Sequence, residues 1–275
     1  MMKLQFSLLV ALCLGLITDV YSQSSSVTPY GSNQRTGSYI RIRGIKMYYE
    51  EYGSGRPLLM IHGNGGDISA FKNNIPYFSA KYRVIVADSR AQGRTADSRD
   101  SLSFQMMADD YAELLDALHI PAAYVIGWSD GGITSLLLAI RHSRKVLRLA
   151  ATGANLWPDS TALQPALWKS AYTTFQEGKN REWRTAKEKN DWKIFMLDWK
   201  EPHIALSALK GVTCPALIIS GDHDLINLEH TLLIYRHIKN AQLWVIPGSG
   251  HATLIEHARE FNRKVDEFFQ YSPAR

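Results

Sequence analysis

Apolar residues follow two rhythms along the chain. Short continuous apolar runs occur at Pro57–Ile61, Tyr82–Ala87, Ala123–Ile126, Val146–Thr152, Pro215–Ser220 and Gln242–Ile246. Runs of that length predict strands buried on both faces. Between them, Phe104–Leu118 places Met107, Tyr111, Leu114, Leu115 and Leu118 on one helical stripe. Gly132–Arg141, Leu228–Ile238 and Ala252–Phe269 also read as helices. Ahead of the first run, Tyr39–Arg43 and Lys46–Tyr52 read as two strands facing each other about Gly44. Apolar strands alternating with amphipathic helices predict a mostly parallel, doubly wound α/β sheet of about eight strands. Its crossovers should be right-handed.

One stretch breaks the alternation. Asn155 to Ala208 is too long for a loop in a compact domain. It carries Trp157, Trp168, Trp183, Trp192 and Trp199 among mixed charges. It predicts a small helical cap at 156–205, inserted into a core formed by 38–155 and 206–275. The first residues read differently again. Lys3, the apolar Leu8–Ile17 and then Val20-Tyr21-Ser22 predict a signal peptide, 1–22, cleaved after Ser22. The apolar part is too short for a stable bilayer anchor. The expected location is therefore periplasmic or secreted, with no stable membrane insertion after cleavage. Residues 23–37, rich in Ser, Thr and Gly, read as a loose leader. Cleavage leaves Cys214 alone, so no intramolecular disulfide is expected.

Composition narrows the function classes. Apolar residues make up 45% of the chain and charged residues 21%, which excludes wholesale disorder. The net charge of +5 is spread among acids, as in Lys187-Glu188-Lys189, so a nucleic-acid footprint is not expected.

The candidate chemistry sits at the ends of the predicted strands. Gly127-Trp128-Ser129-Asp130-Gly131 lies between the strand Ala123–Ile126 and a helix. In that context the pattern describes a tight turn that lifts a serine above the sheet. A serine hydroxyl needs a base, and the base needs an orienting acid. The strand Pro215–Ser220 ends in Gly221-Asp222-His223-Asp224, and the strand Gln242–Ile246 leads to Gly250-His251. Serine, acid, histidine is the chain order expected of such a site. Of the two acids, Asp222 suits a bond within the turn, and Asp224 lies nearer the expected place of His251. The loop His62-Gly63-Asn64-Gly65-Gly66 after Pro57–Ile61 can aim a backbone N–H at the serine. Backbone N–H groups of Asn64 and Asp130 are the expected oxyanion donors, with His62 bracing the loop. No metal-ligand spacing accompanies these residues, and neither a metal nor a cofactor is expected.

These motifs, with Asp88-Ser89-Arg90-Ala91-Gln92-Gly93, resemble the α/β-hydrolase superfamily over most of residues 38–270. The Gly-Trp-Ser-Asp-Gly-Gly elbow resembles that of the valacyclovir-hydrolase and biphenyl-hydrolase-like group. The resemblance implies an α/β-hydrolase fold, Asp224 as the acid of a Ser129–His251–Asp224 triad, and a small ester-type substrate. It implies substrate contacts at Trp128 and Asp130, the latter through a substrate amino group; a plain helix-terminal charge is the competing role for Asp130. Lactonase, C–C hydrolase and aminopeptidase activity, and a non-catalytic binding protein on the same fold, are the alternatives.

Overall fold

A computed structural model describes residues 28–271. The strands are β1 (Gly37–Ile42), β2 (Ile45–Tyr52), β3 (Arg56–Ile61), β4 (Tyr82–Ala87), β5 (Ala123–Trp128), β6 (Val146–Thr152), β7 (Ala216–Gly221) and β8 (Ala241–Ile246). The helices are α1 (Ile75–Ser79), α2 (Phe104–Ala117), α3 (Asp130–Arg141), α4 (Pro165–Gly178), α5 (Ala186–Lys200), α6 (Leu228–His237), α7 (Thr253–Glu256) and α8 (Ala258–Gln270). The strands form one sheet in the order β1-β2-β4-β3-β5-β6-β7-β8. β1 and β2 enter by antiparallel pairings, and every pairing from β4 to β8 is parallel.

Side chains alternate across the pleat, so each central strand feeds two cores. Leu59, Ile61, Val125, Leu149 and Ile218 join the apolar faces of α2 and α3 on one side. Leu58, Met60, Ile126, Leu217 and Ile219 join Phe261, Val265 and Phe269 of α8 on the other. This double burial is why these strands read as unbroken apolar runs. Ser103 caps α2 by accepting from the Met106 N–H, which sets its start. Between β6 and β7 the chain leaves the sheet and forms α4 and α5.

Two expectations are corrected. The segment preceding β1 is not loose where it is described. The Gly31 and Asn33 N–H groups donate to the Glu50 carboxylate at 3.1 and 2.8 Å, and Asn33 is buried. Glu50 is itself fully buried on β2 and needs these donors. The last helix is broken at His257, whose φ and ψ of −119° and 37° leave the helical region between α7 and α8. The expected signal peptide, and the leader up to residue 27, lie outside the described residues. No helix among the described residues is long and apolar enough to cross a membrane.

Candidate active site

Ser129 occupies the sharp turn from β5 into α3. Its φ of 58° and ψ of −120° are strained for a residue with a Cβ, at a cost of order 1–3 kcal/mol. The surroundings enforce the strain. The Ser129 N–H donates to the Thr152 carbonyl at 2.9 Å, and its own carbonyl accepts the Ile133 N–H at 3.0 Å. The turn closes only because its neighbours lack side chains. A Cβ on Gly127 would overlap the Gly131 carbonyl, and one on Gly131 would overlap the Ile61 carbonyl.

The structure brings Ser129, His251 and Asp224 into one line. Ser129 Oγ lies 2.9 Å from His251 Nε2, and His251 Nδ1 lies 2.6 Å from Asp224 Oδ1. A carboxylate on one ring nitrogen makes Nδ1 the donor and leaves Nε2 free to accept the serine proton. Asp224 is buried, and its oxygens also accept from the Ile226 N–H at 3.1 Å and Ser220 Oγ at 3.3 Å. Asp222, the other acid, is exposed and accepts the Ser249 N–H at 3.2 Å. Backbone N–H groups of the 248–249 turn hold its carboxyl below the usual range. It braces the histidine loop and stands off the line.

The histidine is held from three directions. Trp128 Nε1 donates to the His251 carbonyl at 3.0 Å. The Gly250 N–H donates to Glu256 Oε2 at 2.6 Å. Gly153, at φ 64°, passes so close that a Cβ there would stand 2.7 Å from His251 Cε1. Trp128, expected at the substrate, has its indole N–H committed to this support.

The loop after β3 runs against the nucleophile. A Cβ on Gly63 would lie 3.0 Å from that of Ser129. His62 braces this loop as expected: Nδ1 donates to the Gly63 carbonyl at 2.8 Å, and Nε2 accepts the Ser89 N–H at 2.9 Å. Burial pushes its pKa down, which suits a neutral ring. Asp130 opens α3, so its backbone N–H is one of the helix's unpaired first-turn donors. Its side chain is 3% exposed and accepts from Asn64 Nδ2 at 2.9 Å. The carboxyl of Asp198, an exposed residue of α5, lies nearby. Burial pushes the Asp130 carboxyl up to about 6, against the pull of those partners.

Sequence reasoning missed Asp198 entirely. It lies one turn beyond Ile194, whose carbonyl also approaches Asn64 Nδ2, at 3.5 Å. A charged helix position in a stretch of mixed charges carries no signal of its own. A groove of about 540 Å³ beside Arg99, Trp183 and Lys193 includes none of the residues in the Ser129 line. No cluster of His, Cys, Asp or Glu fit to hold a metal occurs among the described residues.

Comparison with known proteins bears on the fold. A family model described as alpha/beta hydrolase fold matches residues 56–181. A mouse protein named serine hydrolase BPHL is 28% identical over 90% of this chain and 91% of its own length. A 2-hydroxymuconate semialdehyde hydrolase of Pseudomonas sp. (strain CF600) is 29% identical over 86% of this chain and 95% of its own. Among solved structures, a meta-cleavage product hydrolase from Pseudomonas fluorescens IP01 superposes with a TM-score of 0.70. It is 25% identical, and the match covers 86% of this chain and 98% of that one. The chain is a hydrolase of the α/β-hydrolase fold.

Proposed function

We propose that the chain hydrolyses a small carboxylic ester, or a related acyl bond, through a covalent acyl-serine. The observation that carries this reading is the unbroken line from Ser129 Oγ through the His251 ring to Asp224. Ser129 Oγ attacks the carbonyl carbon while His251 Nε2 takes its proton. Asp224 holds the ring in the required tautomer and balances its charge. The oxyanion is held by the backbone N–H groups of Asn64 and Asp130, each worth about 3 kcal/mol of transition-state stabilisation. Collapse expels the alcohol, which takes the proton from His251. Water, deprotonated by the same nitrogen, then releases the acid and restores Ser129. These groups supply every proton movement the reaction requires.

A substrate ammonium would reach the Asp130 carboxylate only by competing with the Asn64 amide. A plain ester therefore fits this site better than an aminoacyl ester. C–C bond hydrolysis is the second reading, favoured by the 29% identity to the muconate semialdehyde hydrolase. Residues 1–22 carry the proposal of export; N-terminal sequencing of protein recovered from the producing cell would then begin at Gln23.

A fluorophosphonate probe should label the protein on one serine, and Ser129→Ala should abolish the label. Labelling that persists in that variant overturns the assignment. A panel of p-nitrophenyl esters, lactones, valyl and isovaleryl esters and 2-hydroxymuconate semialdehyde then separates the substrate classes by kcat/KM. Turnover of the semialdehyde alone would replace the ester reading with the C–C one.

A further inference from the structure

Asp224 stands on a loop that the sheet holds on one side only. Before it, the Asp222 and His223 N–H groups donate to the Ile246 and Ser249 carbonyls at 3.2 and 3.0 Å. After it, the loop is held from outside the sheet, by the segment that runs from β6 to α4. The Gln164 N–H donates to the Leu225 carbonyl at 2.9 Å, and the Asn227 N–H donates to the Ala162 carbonyl at 2.8 Å. Leu163 and Ile226 thus face each other as an isolated antiparallel bridge. In a bridge of this spacing the two facing residues keep their own N–H groups out of the pairing. The Ile226 N–H is therefore free to donate at 3.1 Å to Asp224 Oδ1, the oxygen that accepts from His251 Nδ1 at 2.6 Å. The donors on the other Asp224 oxygen, Ser220 Oγ and the Gly221 N–H, stand farther off at 3.3 and 3.4 Å.

Asn227 secures this bridge with its side chain. Nδ2 donates to the Thr161 carbonyl at 3.1 Å and the Leu163 carbonyl at 3.2 Å. Both partners are carbonyls, which fixes the orientation of the amide. Asn227 is also the N-cap of α6, where an asparagine side chain ordinarily accepts from its own helix. It makes no such bond, and its amide is turned to the segment outside the sheet. In the first turn of α6, His230 fixes the start of that segment. Its Nε2 accepts the Leu156 N–H at 2.9 Å, and its ring meets that of Trp157 edge-on at 4.7 Å. We infer that Asn227 is a positioning residue for the triad acid: by tying residues 161–164 to the loop after β7, it aims the Ile226 N–H, and through it the Asp224 carboxylate, at His251. This rests on the acyl-serine reading. α4 begins at Pro165, directly after Gln164, so the acid shares its support with the first helix outside the sheet.

The test compares Asn227→Ala with Gln164→Pro. The first removes both amide bonds and leaves the backbone pairing. The second removes from the bridge only the N–H that donates to Leu225, because Gln164 already has the φ of −57° that proline requires. Gln164→Pro, the milder change, decides the matter should Asn227→Ala not fold. Each folded variant should be labelled on Ser129 by a fluorophosphonate about tenfold more slowly than wild type, far short of the roughly 10⁴-fold that impairing a triad acid itself costs. The second readout is the far-downfield proton resonance of the bond from His251 Nδ1 to Asp224. A slackened bond deshields its proton less, so the resonance should move upfield in the variants. Loss of stability alone leaves it in place. A resonance unmoved in the folded variants overturns the inference whatever their rates, as do wild-type labelling rates. Wild type that takes no label on Ser129 overturns the acyl-serine reading, and this inference with it.

Discussion

The two helices that leave the sheet between β6 and β7 are anchored in opposite ways. α5 is fastened to the core by named polar groups. Asn190 Nδ2 donates to the Ala91 carbonyl at 2.8 Å, and Lys193 Nζ donates to the Arg99 carbonyl at 2.8 Å and the Asp97 carbonyl at 3.1 Å. Just past its end, Glu201 accepts the Phe104 N–H at 3.1 Å. Its start is fixed by a capping box between Thr185 and Glu188, and it buries Ile194 and Leu197. α4 has no side-chain cap, and Gly178 is its only buried residue. It leans on α5 through aromatic rings, with Phe175 stacked on Trp199 at 4.6 Å. The helix that touches Asn64 is thus the immobilised one. The other rests on it through a face of stacked rings.

The contrast can be broken most forcefully at Lys193. It is one of two cations on Asp97, whose side chain is 2% exposed. Lys193→Met should destabilise the protein by about 3 kcal/mol, read as a lower urea midpoint. Lys169→Met on α4, which is exposed, should stay within about 0.5 kcal/mol. Equal effects would mean that the two helices are anchored alike. The interface between them is probed at Gly178, where a Cβ would overlap the Trp192 ring. Gly178→Ala should cost about 1–3 kcal/mol and lower the hydrogen-exchange protection of α4 more than that of α5.

Titration sharpens the comparison, because α5 meets Asn64, the partner of a carboxyl of raised pKa. Asp130 is pushed up to about 6, chiefly by burial. Stability from such a group is fully present below the ordinary carboxylate range and is lost as pH rises through about 6. Between pH 5 and pH 8, α5 amides should lose about 1–2 kcal/mol of protection after correction for intrinsic exchange, and α4 amides should lose none. A uniform loss over both helices would show that the Asp130 contact does not act locally. The mildest probe is Asn190→Ala, which should cost about 1 kcal/mol, with the change confined to α5 and the Ala91 turn.

What the sequence made legible follows the same division. The strands, their double burial, the Ser129 turn and the order Ser129, Asp224, His251 can be read because each rests on local chemistry: a Gly-flanked turn, an apolar run, an acid at a strand end. The support around them could not be read. Trp128 reaches the carbonyl of His251, 123 positions away. Asn64 meets Asp130 across 66 positions. Asp198 is one charge among many in its stretch. Glu50 lies in a predicted strand, and nothing near it in the chain announces the turn at Gly31 and Asn33 that closes on it. Long-range partners of polar side chains leave no periodicity behind, whereas apolar cores do.

The ring face between the two helices has a spectroscopic consequence. It runs without a gap from Trp183 to Trp192, Phe195 and Trp199, and on through Tyr172 to Trp168, with successive centroids 5.0 to 6.4 Å apart. Rings that close couple their electronic transitions, and four of the chain's seven tryptophans stand in this one ladder. The near-ultraviolet circular dichroism of the protein is therefore dominated by the seam between α4 and α5. Any sliding of one helix over the other would change that signal directly, giving an unlabelled optical test of such motion.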